Sequence, residues 1–299
     1  MRKWWLLCVF LVLWQILGHA LAHRSAPAPS TARTADAPTV TRIVSMAPNL
    51  TELLYALDLG EAIVGVTQGS DCPAAATEKP MVGTFWQPNI EAIIACKPDL
   101  VTTLTFQQHQ SLATRLQRMG YRCLSTEIWT VDDLFSAIET IGRATGRGLE
   151  ADQLAASLMG RIRALQQTLE NRGRPRVLWV VQRDPLRVAG RDTFVNELIE
   201  LAGGENAIGP TLHKYPPIGT EQVLAADVEV IIEPAMVRGD LSRQRQTALA
   251  HWRRLAMVPA VSDERIYVID GDIVSRLGPR LYQGVETIAR CLHPNVFGD

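Results

Sequence analysis

Short, largely apolar runs alternate with amphipathic segments along most of this chain. Arg42 to Met46, Ala62 to Thr67, Asp99 to Leu104 and Tyr121 to Ser125 read as buried strands. Between them lie helical stretches. One is capped by Asn49 or Thr51, has Glu52 in its first turn and runs to about Asp58. Another is capped by Asn89 and ended by Lys97 and Pro98. A third spans Ser111 to Met119 and stops at Gly120. Apolar strands alternating with helices predict a parallel sheet covered on both faces.

From Leu149 to Asn171 the period changes. Leu154, Leu158, Ile162, Leu165 and Leu169 form one stripe at helical spacing, terminated by Gly173 and Pro175. The alternation then resumes. Strands are expected at Val177 to Val181, Val228 to Ile232 and Ile266 to Ile269. Helices are expected at Thr193 to Leu201, Glu221 to Ala226 and Leu281 to Leu292. The segment Glu91 to Val101 aligns without gaps on Glu221 to Ile231, at an offset of 130 residues, with an acid opening each helix. This echo points to a duplicated α/β unit. The expected architecture is α/β, with two Rossmann-like lobes built on parallel sheets and joined by one long helix.

The N-terminus follows another pattern. Arg2 and Lys3 precede an unbroken apolar run from Trp4 to Trp14, and Ala20, Leu21 and Ala22 supply a small-x-small cleavage site. The run is shorter than a membrane-spanning helix needs. A signal peptide cleaved after Ala22 is therefore expected, giving a periplasmic protein, with an uncleaved anchor as the alternative. Cys8 lies inside the run, where a lipoprotein signal would not place it. Residues 23–41 carry three prolines among small polar residues and read as a linker. The expected organisation is a signal peptide over 1–22, linker 23–41, first lobe 42–147, connecting helix 148–172 and second lobe 173–299.

Composition adds exclusions. The chain has 299 residues, 47% of them hydrophobic and 20% charged, with a formal net charge of -1. That is globular composition and gives no electrostatic reason for nucleic-acid binding. Cys72, Cys96, Cys123 and Cys291 match no zinc-site spacing. They permit disulfides after export without specifying a pairing, and some are expected to be small buried residues. No GxSxG, HExxH or P-loop pattern is present.

Several of these segments together resemble the periplasmic substrate-binding proteins for metal chelates, the receptors of ABC importers for cobalamin, ferric siderophores and haem. The likeness is carried by Arg42 to Pro48 with Thr51 and Glu52, Ser70 to Pro73, Pro88 to Ile93 and Lys97 to Val101. Phe194 to Asn206, Glu221 to Leu224 and Gly278 to Arg280 continue it. The resemblance implies a monomeric solute receptor rather than an enzyme, its chelate held between the lobes, a cobalamin-like corrinoid favoured. A ferric-siderophore or haem receptor is the alternative, and a periplasmic chelatase or hydrolase a more distant one. The partner implied is an ABC permease dimer with its ATPase subunits. The chelate is cargo, and neither a resident cofactor nor a protein metal site is expected.

The resemblance also assigns residues. Glu91 and Glu221 are the docking acids, one per lobe, that would meet permease arginines; charge pairs of this kind govern encounter and register. An acid in a helix's first turn also has a local reason, the helix dipole. Trp86, beside Phe85, and Tyr215 occupy loops before these two helices and are expected to wall the ligand, as aromatics do for flat chelates. Arg276 is expected to reach the ligand, and Arg280 to be structural. Met46 and Pro48, at a strand's C-terminal end, are expected to line the cleft. Arg183, Arg187 and Arg276 would suit an anionic siderophore. For haem iron His109, His213 and Tyr215 are candidates, although His109, in a polar stretch, is expected at the surface.

Overall fold

In the computed structural model, residues 40–235 and 240–297 are described. The expected leader and nearly all of the linker lie outside them. The chain is anchored at the start of the described residues: the backbone amides of Thr41 and Arg42 donate to the Asp99 carboxylate at 2.9 and 3.1 Å.

The first lobe contains strands β1 (Ile43–Ser45), β2 (Ile63–Val66), β3 (Leu100–Leu104) and β4 (Cys123–Thr126). All pair in parallel in the order β2-β1-β3-β4. The central strands β1 and β3 are buried along their whole length, as a sheet covered on both faces requires. The helices are α1 (Pro48–Ala56), α2 (Ile90–Ala95), α3 (Gln107–Arg118) and α4 (Val131–Thr145).

Three local readings change. Helix α1 begins at Pro48 with extended Ala47 in the cap position, not at Asn49 or Thr51. Proline is preorganised for that first position, and the two side chains are used elsewhere. Asn49 Nδ2 donates to the Leu277 carbonyl at 3.0 Å, and the Thr51 hydroxyl donates to Ser45 Oγ at 2.8 Å. Helix α3 starts at Gln107, four residues before the expected Ser111, which places His109 in its first turn. Helix α4 lies outside the expected elements. Thr130 and Asp133 form a reciprocal capping box at its start, and Gly146 closes it at φ 73°.

Helix α5 (Gly148–Leu169) is the long connector. Leu158, Ile162, Leu165 and Leu169 are buried along it and Leu154 is partly so, as the stripe predicts. Each such leucine or isoleucine is worth roughly 1.5–3 kcal/mol of burial. It packs on α4 of the first lobe, where Gly142 lies so close to Ala151 that a β-carbon there would sit 2.4 Å from the Ala151 methyl.

The second lobe holds β5 (Arg176–Arg183), β6 (Leu186–Val188), β7 (Glu205–Asn206), β8 (Val230–Ala235) and β9 (Ile266–Asp270). Its helices are α6 (Phe194–Leu201), α7 (Thr220–Ala225), α8 (Leu241–Trp252), α9 (Pro259–Ser262), α10 (Gly271–Val274), α11 (Leu281–Leu292) and α12 (Pro294–Phe297). The parallel strands run β7-β5-β8-β9, and β6 folds back antiparallel on the end of β5. This repeats the first lobe's arrangement, in which the first strand is flanked by the second and third and the fourth lies at the edge. The start of α2 and of α7, and of β3 and of β8, are each 130 residues apart, matching the echo in the sequence. Helix α8 and the β5–β6 hairpin were not among the expected elements.

Helix α5 also packs on α11, so it touches both lobes. Its buried side chains belong to one apolar cluster that takes in Leu50 and Leu100 of the first lobe and Trp179 and Val285 of the second. The two lobes thus share a continuous core through the connecting helix. All four cysteines described are free thiols. Burial pushes Cys123 up to about 11 and Cys291 up to about 12, which keeps them protonated and unreactive.

Candidate functional site

A cavity of about 230 Å³ lies between the lobes. From the first lobe it is lined by Pro48, Asn49, Phe85, Leu104, Phe106, Ile128 and Trp129, and from the second by Phe194, Ser275, Arg276 and Leu277. Pro48, Asn49, Leu104, Phe106, Ile128 and Trp129 sit just beyond, or at the end of, β1, β3 and β4, Phe85 comes from the loop before α2, and Ser275 to Leu277 follow β9. This is the carboxyl edge of the sheets, where open α/β folds bind ligands.

One wall is an aromatic arc. Phe85 packs edge-on against Trp86 at 4.7 Å and against Phe106 at 5.2 Å, and Phe106 meets Trp129 at 4.6 Å between ring centroids. His109 holds the arc from behind. It is completely buried. Its Nδ1 accepts from the Leu104 amide at 3.1 Å, and its Nε2–H donates to the Phe85 carbonyl at 2.9 Å. Burial holds its pKa below the usual histidine value, the Phe85 bond opposing only in part. The surface position expected for His109 is therefore corrected. The earlier start of α3 turns it inward, and both ring nitrogens are consumed by backbone groups.

The floor is ionic and joins the lobes. Arg280 donates to both carboxylate oxygens of buried Glu52, at 2.8 and 2.7 Å. This bidentate pair gives Arg280 the structural role expected of it. Arg276 reaches Asp272 at 2.7 Å, Asp71 at 3.3 Å and Glu52 at 3.7 Å. A further bridge runs from the Val131 amide to Glu197 Oε2 at 2.7 Å. Burial, followed by the neighbouring acids Asp132, Asp133 and Glu200, raises the Glu197 carboxyl above its ordinary value, against the lowering effect of the Val131 bond.

Of the residues expected at the ligand, Pro48, Phe85 and Arg276 line this cavity. Trp86 lies against the arc, 61% exposed. Tyr215 is 37% exposed, and burial of its phenol raises its pKa. Arg187 is exposed and bonds the Tyr215 carbonyl at 3.3 Å. None of these three lines the cavity. Met46 is a correction. It shares a face with Val44, packs among Val82, Ile90, Ile93, Leu112 and Leu116, and is fully buried in the first lobe. Side chains two apart on a strand point the same way, and this face is covered by helices. Arg183 is also spent internally, on Glu233 at 2.5 Å. His213 is exposed.

No ligand-lining role was expected for Asn49, Phe106, Trp129 or Phe194, although Asn49 was read as a cap and Phe194 opens a family-like segment. Applying the carboxyl-end rule to β3 and β4, and not only to β1, would have reached Phe106 and Trp129.

Glu91 and Glu221 occupy equivalent places. Each is exposed in the first turn of its helix. Asn89 Oδ1 caps α2 by accepting from the Ala92 amide at 3.0 Å, and Gln222 Oε1 accepts from the Gly219 amide at the start of α7 at 2.9 Å. Neither acid has an ion-pair partner among the described residues.

Residues 43–273 match the model of the family described as periplasmic binding protein. The chain is 30% identical over 265 residues to an uncharacterized ABC transporter substrate-binding lipoprotein, YvrC, of Bacillus subtilis, covering 86% of this chain and 81% of that one. The crystal structure of the periplasmic vitamin B12 binding protein BtuF of Vibrio cholerae superposes with a TM-score of 0.72 at 25% identity, over 87% of this chain and 99% of that one. A periplasmic heme binding protein from Pseudomonas aeruginosa gives 0.71 at 25% identity, over 85% and 93%. Proteins of this kind bind and carry solutes and are not enzymes. The duplicated α/β lobes, the connecting helix and the match along most of the length place this chain in the periplasmic binding protein family.

Proposed function

We propose that this protein is an exported receptor that captures a metal chelate between its lobes and delivers it to an ABC permease. The observation that carries this reading is the aromatic arc Phe85–Phe106–Trp129, facing Phe194 across a cavity whose floor holds Arg276. Flat, largely apolar ligands with a few polar edges suit such a wall. Similarity to proteins that bind vitamin B12 and heme supports the same ligand class. Exposed Glu91 and Glu221, on helices in equivalent positions of the two lobes, supply the paired acids that a two-fold permease would read. The signal sequence ending at Ala22 supports export to the periplasm.

Within the class a corrinoid is favoured over an anionic siderophore. Two of the three arginines suited to a multiply charged chelate, Arg183 and Arg276, already pair with acids of the protein. Haem is the second reading, supported by the fold it shares with the heme binding protein. Titration calorimetry of the exported chain against cyanocobalamin, hemin and a ferric catecholate is the test. Binding of one of them at one per chain is expected, and no binding to any refutes the proposal.

A further inference from the structure

The opening of the cleft carries a contact that the proposed function does not use. The Lys214 ammonium, from the second lobe, lies over the Trp129 ring of the first at 5.4 Å from its centroid. Among the described residues no carboxylate pairs with Lys214. The floor, by contrast, has spent its polar groups: Arg276 on Asp272 and Asp71, and Asn49 on the Leu277 carbonyl.

Two further observations bear on this contact. The backbone at Lys214 is held, because its carbonyl accepts from the Gly190 amide at 2.8 Å, so the side chain can swing without the loop moving. The cavity of about 230 Å³ is also below the roughly 300–1,000 Å³ of a site for a drug-sized ligand. A macrocyclic chelate must therefore displace something on entry, and a lysine on four rotatable bonds across an exposed ring is the most mobile group there.

We propose that Trp129 and Lys214 select the ligand: a planar chelate takes the Trp129 face, and the displaced Lys214 ammonium pairs with a single anionic oxygen group, carboxylate or phosphate, on the ligand's rim. This rests on the chelate-receptor reading and narrows it to chelates with a flat face and an anionic oxygen group on the edge that meets the cleft mouth. An ammonium over an aromatic face is a weak attraction in water, so exchanging it for a charge-assisted hydrogen bond at the rim favours the bound state.

The test uses the mature protein with Lys214→Met, Lys214→Arg and Trp129→Ala variants. Hemin and cyanocobalamin, which carry carboxylates and a phosphodiester respectively, are titrated at low and high ionic strength. Lys214 is exposed, so its variants should match the wild type in thermal melts. For whichever probe binds, Lys214→Met should weaken affinity about fivefold at low salt, as for a half-exposed ion pair. Lys214→Arg should restore it, and the difference should vanish at high salt. Trp129→Ala should weaken binding about tenfold at either salt concentration. Wild-type affinity in Lys214→Met, or a loss that salt does not erase, overturns the inference and leaves the receptor reading standing. Absence of binding to wild type for both probes overturns the inference, and with the catecholate also silent it overturns the receptor reading.

Discussion

His109→Ala removes a side chain that supports the site without touching the cavity. Two buried backbone groups, the Leu104 amide and the Phe85 carbonyl, lose their partners. Each orphaned group costs about 1–3 kcal/mol, and the vacated ring leaves a void behind Phe85, whose ring lies 4.6 Å from the imidazole. A destabilisation of about 3 kcal/mol is expected, read as a fall of about 1 M in the urea midpoint. The pH dependence gives an independent check. The folded pKa of His109 lies below its unfolded value of 6.5 because burial disfavours the charged ring. Below pH 6.5 the unfolded chain therefore binds a proton that the folded chain refuses. Stability from this group is complete above 6.5 and is lost as pH falls, at up to about 1.4 kcal/mol per pH unit. His251 and His293 shift in the same direction, so the wild-type slope alone does not isolate His109, but the difference between wild type and variant does. Urea melts at pH 7.5 and 5.5 should show the gap between the two proteins narrowing at the lower pH. A cost under about 1 kcal/mol, or a gap that does not change with pH, refutes the reasoning.

Glu52→Gln keeps the shape at the lobe junction and removes the charge that Arg280 holds bidentately, so a loss of about 2–3 kcal/mol is expected in denaturant melts; the paired change Glu52→Gln with Arg280→Met should recover most of it. Glu197 behaves oppositely to a paired acid. Its folded pKa is raised, so its contribution to stability falls as pH rises from 4.5 through that raised value. Glu197→Gln, whose amide oxygen still accepts from Val131, should raise the thermal midpoint at pH 7 and leave it unchanged at pH 4. Glu91→Arg with Glu221→Arg should abolish chelate uptake by cells while calorimetric affinity stays within about twofold, and a lost affinity would move these acids into the binding site.

The lobes were legible because their signals are local. Apolar strand runs, the five-residue stripe on α5 and the echo between Glu91 and Glu221 each depend on a few neighbouring residues and on the period of the backbone. The likeness to chelate receptors rested on the same short segments. Helix α4 was missed, although its capping box at Thr130 and Asp133 is a local signal. The site was harder to read, because its members come from strand ends far apart in the chain. Pro48, Phe85 and Arg276 were reached from sequence, while Met46 was assigned to the wrong face of β1, since periodicity gives alternation without saying which side a helix covers. His109 sits among glutamines and looks solvated, yet it is buried because α3 starts a turn early.

Sequence by itself determined the α/β class, the duplicated lobe and the connecting helix, through patterns whose energetics lie within a turn or a strand. Only the tertiary structure decided which charges are spent and which are free. Arg183 and Arg280 are each neutralised by an acid distant in the chain, Glu233 and Glu52, while Arg276 meets Asp71 and Glu52 of the first lobe as well as nearby Asp272. Lys214 is left over an aromatic ring at the mouth of the cleft. That difference arises from packing strands within a lobe and the two lobes against one another, which no local pattern encodes in full.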